Sequence, residues 1–129
     1  MNPSFSVLVI DDDADVLKAV QLGLRSAGWT VATTVDPREG VKMARTIQPN
    51  VIVCDSSMPE VSGAQVIGML KNDPATADIP VVLMTGFAEV DMLSNGGWTN
   101  FLAKPFGPKE LRAAIEGAMA RGIPPAIEP

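Results

Sequence analysis

The sequence predicts an α/β fold, a doubly wound parallel sheet of five strands with five helices, the fourth of them short or irregular. Three observations carry that expectation. Runs rich in β-forming residues recur at Ser6–Ile10, Thr30–Thr34, Val51–Cys54, Pro80–Met84 and Asn100–Ala103. Each is followed by a segment with helical spacing. Two of them, Val51-Ile52-Val53-Cys54 and Val81-Val82-Leu83-Met84, are apolar throughout, the pattern of strands covered on both faces.

The helices follow from spacing and punctuation. After the first strand, Val16, Val20, Leu24 and Ala27 recur on one side of "DADVLKAVQLGLRSAG", and Gly28 supplies a stop. Asp13 and Asp15 read as N-cap and first-turn acid of this helix. The second helix opens with Asp36 as N-cap and Pro37 at the first position, places Val41, Ala44 and Ile47 inward, and ends before Pro49. "SGAQVIGMLKND" supplies Val66, Ile67 and Leu70 for a third. The last helix starts at Pro108 and spaces Leu111, Ile115 and Met119 by four. Between Met84 and Asn100 only "AEVDMLS" has helical character, and "NGGW" interrupts it, hence the short fourth helix.

Composition limits the function classes. At 129 residues and 47% hydrophobic content the chain has the size and apolar material of one domain. We expect a domain over residues 1–121 and a tail or linker from 122 to 129. A net charge of −5 with scattered Lys and Arg argues against direct nucleic-acid binding and against an anionic membrane surface. No apolar stretch approaches the roughly 20 residues of a membrane span, so a cytoplasmic protein is expected. Cys54 is the single cysteine and histidine is absent, which removes a disulfide and the commonest general base. Chemistry must rest on carboxylates, hydroxyls and lysine. Cys54 itself alternates away from its neighbour Asp55 and reads as an inert core thiol.

The stretch "VLVIDDDADV" runs a buried strand straight into adjacent aspartates, which raise one another's cost of ionisation unless a cation sits among them. In doubly wound sheets functional groups gather at the carboxyl ends of the strands. Those ends here carry Asp11, Asp12 and Asp13, then Asp55, Thr85 and Lys104. Carboxylates at one sheet edge suit a hard cation such as Mg²⁺, which takes oxygen ligands and leaves positions for a phosphoryl oxygen. Asp55 then becomes a candidate nucleophile, with Thr85 and Lys104 holding the phosphoryl oxygens in flight.

Together "VIDDD", "VIVCDSSMPEVSG", "DIPVVLMTG" and "FLAKPF", in this order over about residues 5–121, resemble the receiver domain of bacterial two-component response regulators. The resemblance implies a flavodoxin-like receiver fold, with Asp55 as phosphoacceptor. Asp12 would be a direct Mg²⁺ ligand, Asp11 a ligand through water and Asp55 a further ligand, and the backbone carbonyl of Ser57 would complete the protein's share. Thr85 would be the switch hydroxyl, Lys104 the ammonium on the phosphoryl group, and Phe101 the aromatic switch. Lys104–Pro105 would be cis.

The function so implied is a phosphorylation switch rather than an enzyme, with at most slow Mg²⁺-dependent self-phosphorylation and self-dephosphorylation. Its partners would be a sensor histidine kinase or phosphotransfer protein and an unidentified output partner, with no membrane. Because a short fourth helix weakens the usual dimerisation face, we expect a monomer or weak dimer. A Mg²⁺-dependent phosphatase of haloacid-dehalogenase type is the alternative, since Asp11 and Asp13 have its nucleophile and acid–base spacing. That mechanism needs a further acidic pair after the fourth strand, where this chain has Thr85-Gly86-Phe87.

Overall fold

Strand order explains why the polar residues converge. The computed structural model describes residues 5–86 and 100–122. Its parallel sheet has β1 (Ser6–Ile10), β2 (Thr30–Thr34), β3 (Val51–Asp55), β4 (Val81–Thr85) and β5 (Asn100–Ala103) in the order β2-β1-β3-β4-β5. The chain goes from β1 to one side for β2, then crosses to the other for β3. The order therefore reverses between β1 and β3, where a crevice opens at the strand ends.

Four helices stand among the described residues: α1 (Ala14–Arg25), α2 (Pro37–Ile47), α3 (Gly63–Lys71) and α4 (Pro108–Gly122). The last is the helix expected fifth. The short helix expected at "AEVDMLS" falls outside the described residues, as do the residues of the expected tail beyond Gly122.

The helices sandwich the sheet, and period-two alternation sorts the strand residues between the two layers. Val7, Val9, Val51, Val53, Val82 and Met84 pack with Leu17, Val20 and Leu24 of α1 and with Leu111 and Ile115 of α4. Leu8, Ile10, Ile52, Cys54, Val81 and Leu83 pack with Ala44 of α2 and with Val66, Ile67 and Leu70 of α3.

Caps fix where each helix begins, and so where each preceding loop ends. The Asp13 carboxylate accepts the N–H groups of Asp15 and Val16, and that of Asp36 accepts those of Arg38 and Glu39. Ser62 and Gln65 form a reciprocal capping box at α3.

The structure moves several expected positions. β3 and β4 each run one residue further, so Asp55 and Thr85 are the last residues of their strands. Pro80 precedes β4 instead of opening it: it has no N–H to give, and only its carbonyl joins, accepting from Ile52. On α1 the deepest early residue is Leu17, with Val16 half-buried. On α2, Gly40 and Ala44 face the sheet and Ile47, on the last turn, is exposed. The small residues set that face, because a Cβ at Gly40 would lie 2.5 Å from Ile10 Cδ1.

Candidate functional site

β1 delivers Asp11 fully buried at its end, and the Asp11 N–H donates to the Thr34 carbonyl of β2, which holds the turn in place. One Asp11 carboxylate oxygen accepts the Asp13 N–H at 2.9 Å, a local turn in which the side chain replaces a backbone acceptor. Asp12 points outward and is exposed. β3 delivers Asp55, 5% exposed. Asp11, Asp12 and Asp55 each offer a carboxylate oxygen within 4.8 Å of the others.

Gly63 is what lets the loop after Asp55 fold so tightly. A Cβ there would lie 2.5 Å from the Asp55 carbonyl oxygen, 2.8 Å from Ser56 Cα and 2.9 Å from Leu83 Cδ1. The Gly63 N–H donates to the Ser56 carbonyl, closing the loop. Ser57 is exposed within it, and its N–H donates to the Asp55 carboxylate.

β5 delivers Lys104. Its N–H donates to the Thr85 carbonyl at 2.8 Å, continuing the ladder in which Thr85 pairs with Ala103. From there its ammonium reaches 3.0 Å from Asp55 Oδ1 and 3.4 Å from Asp11 Oδ2. The Lys104–Pro105 peptide is cis. Thr85 is fully buried at the end of β4, its hydroxyl donating to the Gly86 carbonyl. Phe101 is 39% exposed on β5, pairing in register with Leu83.

The electrostatics follow from this packing. Burial pushes the Asp55 carboxyl above the ordinary carboxylate value, opposed by its hydrogen bond and charge attraction to Lys104. Asp11 is likewise raised by burial, against the Asp13 N–H that holds its charged form. For Lys104, burial alone would lower the ammonium, but the Asp55 and Asp11 carboxylates outweigh it and the net shift is upward. The site is short of positive charge, with Lys104 shared between two buried acids.

Asp11, Asp12, Asp55 and Lys104 therefore meet as sequence reasoning expected, with Thr85 one strand residue away from Lys104. Hard oxygen donors in this arrangement suit Mg²⁺. Two features escaped the sequence reading. The Asp13 N–H supports Asp11 through a turn that the Asp-x-Asp spacing signals. Arg38 and Glu60 form an ion pair of 3.7 Å beside Asp12, which no sequence pattern marks.

The family model described as response regulator receiver domain matches residues 7–116. The DNA-binding dual master transcriptional regulator RpaA of Synechocystis is 34% identical over 118 residues, 89% of this chain and 49% of that protein. The transcriptional regulatory protein PrrA of Mycobacterium tuberculosis is 37% identical over 118 residues, 89% of this chain and 50% of that protein. A response regulator receiver domain protein from Clostridium thermocellum superposes with a TM-score of 0.81 at 27% identity, over 90% of this chain and 94% of that one. The chain spans about half the length of the curated relatives it matches.

These relatives correct one expectation. Direct nucleic-acid binding was excluded on charge, yet RpaA is a DNA-binding regulator. Net charge and scattered bases describe only the surface of the matched segment, about half of such a protein. Among the described residues no helix is long and apolar enough to cross a membrane. The phosphatase alternative is not favoured: the matched family and relatives are signalling proteins, which act as switches and not as classical enzymes. The chain belongs to the response regulator receiver family, the phospho-accepting switches of two-component signalling.

Proposed function

We propose that Asp55 accepts the phosphoryl group, and that a sensor histidine kinase, a phosphotransfer protein or a small acyl phosphate donates it. The observation that carries this reading is the meeting of Asp11, Asp12, Asp55 and Lys104 at one end of the sheet. A carboxylate oxygen of Asp55 bonds to phosphorus as the bond from phosphorus to the donor's leaving group breaks, and that group departs with the bonding electron pair. Asp12, Asp11 through water, Asp55 and the Ser57 carbonyl would hold Mg²⁺. Bound there, Mg²⁺ neutralises charge on the phosphoryl oxygens.

Lys104 is already drawn to Asp55 and needs only to transfer its ammonium to a phosphoryl oxygen. Thr85 gives its hydroxyl to the same group, and Phe101 on the neighbouring strand responds to that shift. The acidic loop also supports slow self-phosphorylation and self-dephosphorylation. The domain extends over residues 1–121 and works in the cytoplasm. Its output is transcriptional, by analogy with RpaA and PrrA.

Stoichiometry tests this. With Mg²⁺ and phosphoramidate the protein should take up one phosphoryl group per chain and should not turn over a generic phosphomonoester. Sustained hydrolysis of such an ester, with no protein-bound phosphoryl group, would overturn the reading.

A further inference from the structure

A cleft of about 330 Å³ opens beside Asp12, between the turn that follows β2 and the loop that follows β3. Its lining is graded in chemistry. Asp12 stands at the end toward the acidic cluster, while Val35, Met58 and Pro59 give an apolar lining, and Arg38 and Glu60 come from opposite walls. Asp36 also borders the cleft, but its Oδ1 already caps α2. Among the described residues that line the cleft, Arg38 is the one base.

The Arg38–Glu60 pair spans the cleft at 3.7 Å, with the side chains 65% and 84% exposed. A pair so open to water is held weakly and exchanges partners readily. Arg38 also presents several N–H donors in a planar fork, the geometry that suits a phosphoryl or carboxylate group. An acyl phosphate has that chemistry: a dianionic phosphoryl end and a small, partly apolar acyl end. The three carboxylates repel it on approach, and Arg38, which lines the same cleft as Asp12, carries a charge of the sign that offsets that repulsion.

We propose that this cleft admits small anionic phosphodonors, and that Arg38, by exchanging Glu60 for the donor, is the residue that favours dianionic donors over less charged ones. The inference rests on Asp55 being the acceptor. The reaction is the transfer already described: the donor's phosphorus–oxygen bond breaks, the Asp55–phosphorus bond forms, and the acyl group leaves as a carboxylate.

The test compares initial rates of phosphorylation of the full chain at low salt with Mg²⁺, using acetyl phosphate as dianion and phosphoramidate as monoanion. At roughly 10 Å in water, removing one positive charge should slow a dianion about fourfold and a monoanion about twofold. Arg38→Gln should therefore slow acetyl phosphate more than phosphoramidate. Glu60→Gln should do the opposite and speed acetyl phosphate more. High salt should abolish both effects.

Both substitutions break the ion pair, so a role limited to pinning the two loops together would move both variants in the same direction. That result, or equal changes with the two donors, would overturn the proposal while leaving Asp55 as acceptor. Wild-type protein labelled by neither donor would overturn the Asp55 assignment and this proposal with it.

Discussion

The Lys104 ammonium lies 3.0 Å from Asp55 Oδ1 and 3.4 Å from Asp11 Oδ2, so one cation answers two buried carboxylates. Lys104→Met should therefore destabilise the metal-free protein by about 1–3 kcal/mol, because it leaves both acids buried without their counter-charge. Urea titrations in a chelator measure this. Added Mg²⁺ should narrow the gap between variant and wild type by supplying the missing charge. An unchanged midpoint in chelator would show that the ion pair contributes nothing.

Gly63→Ala should cost about 1–3 kcal/mol, since two of the three atoms its Cβ would meet are backbone and cannot swing aside. The loop after Asp55 must shift to relieve the contact, so phosphorylation should slow as well. Chemical denaturation and a labelling time course check the two effects separately. Gly68→Ala is the control, as its Cβ would meet nothing within 4 Å.

Asp73 supplies a pH signature away from the site. The Ala75 N–H, and then Arg45, hold its carboxyl below the ordinary value of 3.8. A carboxyl with a depressed folded pKa binds its proton less readily in the folded state. Its stabilisation is therefore complete above the ordinary value and lost as pH falls through the folded one. Asp73→Asn should be less stable than wild type at neutral pH, and the difference should shrink below about pH 4. A difference independent of pH would refute the assignment.

Cys54 should resist thiol reagents in the native protein. Burial first, and then the negative charges of Asp55 and Asp11, push its thiol far above the ordinary value, which suppresses the reactive thiolate. Its side chain is fully enclosed among the residues facing α2 and α3. Labelling should then track global unfolding, with a rate that rises in parallel with urea-induced exposure. Rapid native-state labelling would contradict this burial.

Legibility in the sequence followed the range of the interactions. β1, β2 and β5 lie where their apolar and β-branched runs put them, because a period of two and local punctuation determine a strand's extent. Asp13 and Asp36 were readable as caps for the same local reason, whereas the Ser62 capping box was found only in the structure. Asp55 and Thr85 proved to be strand residues because ladder hydrogen bonds, and not polarity, end a strand. The inward face of α2 misled: Gly40 looks like a helix breaker, but its missing side chain is what admits Ile10.

The acidic cluster was legible because the topology of a doubly wound sheet assigns strand ends to one edge. The Arg38–Glu60 pair was not. Its partners belong to separate loops with no shared period, and only the folded arrangement of those loops brings them together.

The central claim is that Asp55, and not Asp11 or Asp12, carries the phosphoryl group. Borohydride reduces an aspartyl phosphate to homoserine, which marks the modified position permanently. After incubation with Mg²⁺ and phosphoramidate, reduction and peptide mass spectrometry should find homoserine at position 55 alone, and none in Asp55→Asn. Homoserine at position 11 or 12, or undiminished labelling of Asp55→Asn, would contradict the account.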